Sequence, residues 1–134
     1  MAEVSVAIAD DNRQTLNLLG EILEKEDGIH VVGKADNGED AYNMIVETNP
    51  DIVLMDLSLG NSALNGAEAA REIRLQTDSR VIILTSHENY DTVIHASTQA
   101  LASAYLFKSN FSVLIPTIRE TARGVTPQAQ LICS

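Results

Sequence analysis

Residues 4–11 read VSVAIADD, a mostly apolar run that favours a β-strand and is followed by two aspartates. Residues 51–56 read DIVLMD, a second apolar run that also ends in an aspartate. If the two runs form neighbouring parallel strands, their carboxyl ends lie side by side at the edge where open α/β sheets bind ligands. The sequence therefore predicts that Asp10, Asp11 and Asp56 share one crevice.

Three carboxylates in one crevice require a compensating charge. Two unit charges about 4 Å apart repel by roughly 4 kcal/mol at an effective dielectric near 20, so such a trio is stable only with a bound cation or a shared proton. Mg²⁺ is a hard cation that takes oxygen ligands and keeps several waters. We therefore expect Asp10, Asp11 and Asp56 to form a Mg²⁺ site.

Apolar, β-favouring runs alternate with segments of helical periodicity five times along the chain. The predicted strands cover residues 4–9, 30–35, 51–55, 80–85 and 103–107. The predicted helices cover residues 13–26, 38–48, 66–76, 89–100 and 111–123. Gly28 is expected to end the first helix and Gly124 the last. Strands joined by helices run parallel, and right-handed crossovers predict an α/β fold of the (βα)₅ type with a doubly wound five-stranded parallel sheet.

Length and composition fit one acidic domain. We expect residues 1–124 to form this domain and residues 125–134 to begin a linker. The formal net charge of −10 argues against binding of nucleic acid or an anionic membrane by this chain itself, because phosphates are bound through clustered Lys and Arg. No stretch resembles a signal peptide or a membrane span, so a cytoplasmic location is expected. The single Cys133 excludes an intrachain disulfide.

Two further strand ends carry polar residues that suit phosphate chemistry. Thr85 closes the fourth predicted strand, and Lys108 follows the fifth. Taken singly, such residues are often helix caps or solvated side chains. Their joint occurrence at one sheet edge with three acids is much harder to attribute to accident. A carboxylate can act as a nucleophile toward phosphorus while a lysine and a hydroxyl hold the remaining oxygens. Asp56 is the candidate nucleophile.

Four segments together resemble the receiver domain of two-component response regulators. These segments are Ala9-Asp10-Asp11-Asn12-Arg13, Asp51-Ile52-Val53-Leu54-Met55-Asp56-Leu57, Ile83-Leu84-Thr85-Ser86 and Tyr105-Leu106-Phe107-Lys108. The resemblance covers about residues 3–124 and implies a flavodoxin-like receiver fold with strand order 2-1-3-4-5.

The resemblance also implies the chemistry of the site. In the family, the aspartate matching Asp56 accepts a phosphoryl group from a histidine kinase or phosphotransfer protein. The aspartates matching Asp10 and Asp11 bind Mg²⁺, with a further ligand from the backbone carbonyl matching Ser58. Such a domain is a switch and not an enzyme, since it catalyses only its own phosphotransfer and dephosphorylation.

Three more residues match positions that respond to the phosphoryl group. The family's residues matching Thr85 and Lys108 bind its oxygens. Tyr105 matches an aromatic position that turns inward when the threonine is drawn toward the phosphate. The resemblance therefore implies that Thr85 and Tyr105 act together as the switch.

The sequence departs from the family pattern in two places. Gly60 stands where a proline is usual, and Gly66 lies ten positions past Asp56, farther than is typical. The loop at 57–65 is therefore expected to be longer, and glycine allows backbone conformations that proline forbids. Ser109 replaces a proline that is often cis, so a trans peptide is expected after the lysine.

A further resemblance concerns the output of the switch. The spacing of residues 105–108 and the ending at 118–124 resemble receivers that precede a helix-turn-helix DNA-binding domain. We expect a regulatory domain of a transcription regulator, with DNA bound only through an output domain outside this sequence. Phosphorylation is expected to promote a homodimer, either through the fourth helix, fifth strand and fifth helix or through the first and fifth helices.

Four alternatives remain. The first is a stand-alone receiver that acts through protein partners, and the second is a binding module that ignores phosphate. The third is an aspartate-nucleophile phosphohydrolase, although such enzymes carry an Asp-x-Asp motif after the first strand. The fourth is a flavodoxin-type binder, which is disfavoured because Asp10 and Asp11 would repel a phosphate after the first strand.

Overall fold

The computed structural model describes residues 3–56, 66–85, 102–108 and 111–124. The strands are β1 (Val4–Ala9), β2 (Ile29–Ala35), β3 (Ile52–Asp56), β4 (Arg80–Thr85) and β5 (Ala104–Phe107). The helices are α1 (Arg13–Glu24), α2 (Gly38–Thr48), α3 (Gly66–Gln76) and a C-terminal helix (Leu114–Ala122), which follows a 3₁₀ turn at Phe111–Val113. The fourth predicted helix, at 89–100, lies outside the described residues.

The strands form one parallel sheet in the order β2-β1-β3-β4-β5. This order and the alternation with helices confirm the predicted doubly wound α/β fold. β3 lies at the centre, and all five of its residues are buried, as its continuous apolar sequence predicts. The carboxyl ends of β1 and β3 are therefore adjacent, which is the arrangement that the two aspartate-terminated runs require.

Helices cover the two faces of the sheet and create two apolar layers. On one face, α2 and α3 pack against alternate strand residues such as Val53 and Met55. On the other face, α1 and the C-terminal helix pack against the intervening residues, including Ile52 and Leu54. The period of two along each strand thus divides the core between the layers. None of the described helices is long and apolar enough to cross a membrane.

Two predicted helix ends were wrong. The first helix ends at Glu24 and not at residue 26, and Lys25 is its C-cap. Gly28 does not end this helix; its φ of 83° instead serves the turn that leads into β2. The last helix was predicted from residue 111, but that turn is 3₁₀, and the α-helix starts at Leu114. Helical periodicity extends through such turns, so it does not locate the ends of the α-helix.

Candidate functional site

Three aspartates meet at the carboxyl edge of the sheet. Asp10 follows β1, Asp11 comes next, and Asp56 is the last residue of β3. Each contributes one carboxylate oxygen to a group whose atoms all lie within 4.8 Å of one another. Asp10 is fully buried and Asp56 is 5% exposed, whereas Asp11 is exposed. The structure therefore brings together the three acids that the sequence places at two strand ends.

The backbone of β1 and β2 holds Asp10 in place. Its N–H donates to the carbonyl oxygen of Ala35 at 3.0 Å, which continues the parallel ladder one residue beyond β1. Its side-chain Oδ1 accepts a hydrogen bond from the backbone N–H of Asn12 at 2.8 Å. Both the main chain and the carboxylate of Asp10 are thus anchored, which suits a metal ligand that must not reorient.

The part played by Asn12 was not predicted from the sequence. This residue is the N-cap of α1, and its Oδ1 accepts the backbone N–H of Thr15 at 3.1 Å. Asparagine immediately before a helical segment is a recognised capping signal, so the cap was detectable. The contact between the Asn12 backbone and Asp10 was not, because it depends on the turn that joins β1 to α1.

Lys108 directs its ammonium into the acidic cluster. Its Nζ lies 2.6 Å from Asp10 Oδ2 and 3.4 Å from Asp56 Oδ2. The backbone of Lys108 is held at the edge of the sheet, because its N–H donates to the carbonyl oxygen of Thr85 at 2.8 Å. The lysine after β5 thus reaches both aspartates that end neighbouring strands.

The charges and donor atoms of this site fit a divalent cation. Three ionised carboxylates and one ammonium leave two negative charges uncompensated among these four groups. Asp10 Oδ2 is buried and accepts no directed hydrogen bond from the residues that the structure describes, and its contact with Lys108 is an ion pair. A donor set made of carboxylate oxygens is the type that Mg²⁺ prefers, and one exposed acid leaves room for bound water.

Thr85 and Tyr105 lie on the face of the sheet covered by α2 and α3. Thr85 pairs with Phe107 and Tyr105 pairs with Ile83, so all four residues share one side of the pleat. Thr85 is 2% exposed and Tyr105 is 4% exposed. The structure therefore places the hydroxyl at the sheet edge, with the aromatic ring buried two residues before the end of the adjacent strand.

The remaining predicted features fall outside the described residues. These are Ser58, the loop at 57–65, Ser109 and the segment 125–134.

Comparison with known proteins identifies similar sequences. The sequence matches the family model of the response regulator receiver domain over residues 6–119. It is 37% identical over 122 residues to the transcriptional regulatory protein DesR of Bacillus subtilis, covering 90% of this chain and 59% of DesR. The chain spans about half the length of the curated relatives it matches.

Solved structures show the same architecture. A two-component response regulator of the LuxR family from Aurantimonas sp. SI85-9A1 superposes with a TM-score of 0.83 at 29% identity, covering 93% of this chain and 89% of that one. The receiver domain of the putative response regulator NarL from Mycobacterium tuberculosis also gives a TM-score of 0.83, at 25% identity, covering 92% of this chain and 99% of that one.

Proposed function

Because the chain belongs to the response regulator receiver family, we propose that it is a phosphorylation-operated switch and that Asp56 is its phosphoacceptor. The main support is the position of Asp56 at the end of the central strand. There its carboxylate lies within 4.8 Å of ligand atoms from Asp10 and Asp11 and 3.4 Å from Lys108 Nζ. These are the groups that phosphoryl transfer to an aspartate requires: a nucleophile, cation ligands and a fixed positive charge.

Mg²⁺ is the cofactor in this proposal. Receiver domains generally bind Mg²⁺ in an acidic pocket, and here Asp10, Asp11 and Asp56 would hold it together with the backbone carbonyl of Ser58. The bound ion would neutralise charge that develops on the phosphoryl oxygens. Asp10 and Asp11 also repel one another and Asp56, so the cation relieves a cost that the folded protein otherwise carries.

The phosphodonor is a phosphohistidine of a histidine kinase or of a phosphotransfer protein. A carboxylate oxygen of Asp56 forms a bond to phosphorus while the bond between phosphorus and the imidazole nitrogen breaks. The imidazole leaves with the electron pair and takes up a proton. Hydrolysis later returns the Asp56 carboxylate and inorganic phosphate, and the chain catalyses no other reaction.

Lys108 and Thr85 respond to the new phosphoryl group. The ammonium of Lys108 pairs with a phosphoryl oxygen, and the hydroxyl of Thr85 donates a hydrogen bond to another. Tyr105, which shares the pleat face with Thr85, reports the change to the surface formed by β5 and its neighbours. A shift from mostly off to mostly on requires about 5.5 kcal/mol of differential stabilisation, so one hydrogen bond does not suffice and several contacts must contribute.

Incubation with acetyl phosphate and Mg²⁺ tests the phosphoacceptor. Intact-mass measurement should show the addition of one phosphoryl group, and chelation of the metal should prevent it. The Asp56→Asn variant should take up none. The Asp27→Asn variant removes the same charge from an exposed position ahead of β2 and should be phosphorylated like the wild type. Uptake by Asp56→Asn equal to that of the wild type would refute the assignment.

The output in this proposal is control of transcription. The support is that the chain spans about half of relatives named as transcriptional regulatory proteins, such as DesR and LiaR of Bacillus subtilis. DNA binding would then belong to a separate output domain, since this acidic sequence is unsuited to it. The coding sequence past Ser134 tests this: a helix-turn-helix domain is expected, and a stop codon at that point would instead favour a stand-alone receiver.

A further inference from the structure

The two carboxylate oxygens of Asp10 have different partners. Oδ1 accepts the hydrogen bond from the Asn12 backbone N–H at 2.8 Å, and Oδ2 faces Lys108 Nζ at 2.6 Å. The side chain is fully buried, so bulk water does not compete for either oxygen. The hydrogen bond from Asn12 therefore sets the rotation of the carboxylate and leaves Oδ2 directed toward Lys108, which also contacts Asp56.

The start of α1 in turn fixes the Asn12 N–H. Asn12 has an extended backbone, with φ −96° and ψ 111°. Its side-chain Oδ1 accepts the N–H of Thr15 at 3.1 Å, and its carbonyl oxygen accepts the N–H of Leu16 at 3.0 Å. The side-chain cap thus ties the conformation of Asn12 to the first turn of the helix. Without it, the N–H that reaches Asp10 is free to turn away.

We infer that Asn12 is a positioning residue for the metal site. Its side chain caps α1, its backbone N–H orients the buried Asp10, and Asp10 then presents Oδ2 to the cation. This inference rests on the proposed function, because it assigns Asn12 an effect on Mg²⁺ bound by Asp10. Partners that orient metal ligands typically change metal affinity by about 10–100-fold when they are lost.

A second asparagine provides a matched control. Asn37 is the N-cap of α2, and its Oδ1 accepts the backbone N–H of Asp40 at 2.9 Å. The substitutions Asn12→Ala and Asn37→Ala therefore remove the same kind of cap from two helices of similar length. Among the described contacts, those of Asn37 are to Asp36 and to residues of α2, none of which is in the acidic cluster. Only the first substitution should affect Mg²⁺.

The experiment is a calorimetric titration of the metal-free protein with Mg²⁺, paired with thermal unfolding of each variant. We expect both alanine variants to lose stability, Asn37→Ala at least as much because it also loses the side-chain contacts to Asp36 and Asp40. Mg²⁺ binding should weaken about tenfold in Asn12→Ala and stay unchanged in Asn37→Ala. Asn12→Ser keeps a capping hydroxyl and should restore the affinity of the wild type. If Asn12→Ala does not fold, Asn12→Gly replaces it, since glycine is well tolerated at the N-cap but has no side chain to accept the Thr15 N–H.

The outcomes separate the inference from the proposed function. Equal affinity in the wild type and in the folded variant without the cap would overturn the positioning role while leaving the metal site intact. An equal loss in the Asn12 and Asn37 variants would also overturn it, since the effect would then follow stability. Absence of Mg²⁺ binding by the wild type would overturn both.

Discussion

Lys108 Nζ lies 2.6 Å from Asp10 Oδ2, so the ammonium forms an ion pair with a fully buried carboxylate. The same ammonium is 3.4 Å from Asp56 Oδ2, so its shorter contact is to the candidate metal ligand and not to the candidate phosphoacceptor. A divalent cation bound between these aspartates must therefore share their oxygens with the ammonium or displace it. Binding of a metal would thus be energetically coupled to the lysine, and this coupling can be measured.

Replacement of Lys108 should destabilise the metal-free protein but preserve Mg²⁺ binding. In Lys108→Ala the buried Asp10 loses its cation, at a cost of about 3 kcal/mol in the free energy of unfolding. Mg²⁺ at about 100 times its Kd should restore about 2.7 kcal/mol. Denaturant unfolding with and without Mg²⁺ measures both effects, and Lys34→Ala, an exposed lysine of β2, serves as the control. Loss of Mg²⁺ binding in Lys108→Ala would contradict the expected competition.

Replacement of Asp11 should weaken the metal site without unfolding the domain. Asp11 is exposed, so Asp11→Asn is expected to change the free energy of unfolding by less than about 0.5 kcal/mol. It removes a charged ligand or a neighbour that holds bound water, so the Kd for Mg²⁺ should rise at least about tenfold. Calorimetry and phosphate uptake from acetyl phosphate are the measurements. Unchanged values for both would show that Asp11 is not part of the site.

Replacement of Thr85 should separate phosphorylation from the conformational response. Thr85→Ala retains the acidic cluster and Lys108, so its phosphate uptake should stay within about threefold of the wild type, a change below 1 kcal/mol. The amide resonances of β5 around Tyr105 should then fail to shift on phosphorylation, because the hydroxyl proposed to contact the phosphoryl group is absent. Thr48→Ala, at the end of α2, is the control. Shifts at Tyr105 equal to those of the wild type would exclude the switch role.

Phosphorylation should promote pairing of the domain. A two-fold dimer would match two half-sites on DNA and would convert a change at Asp56 into DNA affinity of the proposed output domain without contact between the receiver and DNA. Sedimentation velocity with beryllofluoride and Mg²⁺ should show a larger species, and Asp56→Asn should remain monomeric under the same conditions. A wild type that binds beryllofluoride and stays monomeric at all accessible concentrations would argue for a partner protein as the output.

The fold was largely predictable from the sequence because its signals are strong and local. The run at 51–56 is apolar without interruption, and such a strand is stable only when helices bury both faces. Parallel connectivity then placed the strand ends at one edge, which located the acids and Lys108. The end of α1 was less predictable, because residues 25 and 26 continue a helical pattern that the turn before β2 overrides.

The detailed geometry of the site could not be predicted in the same way. A lysine side chain has four rotatable bonds, so its preference for Asp10 over Asp56 follows from the packed structure and not from its place after β5. The hydrogen bond from Asn12 to Asp10 likewise depends on the backbone path of a short turn. Local patterns indicate which residues arrive at an edge, and tertiary packing decides which atoms meet there.

Asp56 and Thr85 end neighbouring strands, yet they lie on opposite sides of the pleat. Asp56 pairs with Leu84, which belongs to the layer under α1 and the C-terminal helix, whereas Thr85 pairs with Phe107 in the layer under α2 and α3. The sheet therefore separates the candidate phosphoacceptor from the candidate switch residue, which lie against different apolar layers. In the proposed switch, a phosphoryl group on Asp56 would extend past the end of β3 toward Thr85, so that the signal would cross between the two layers at the edge of the sheet.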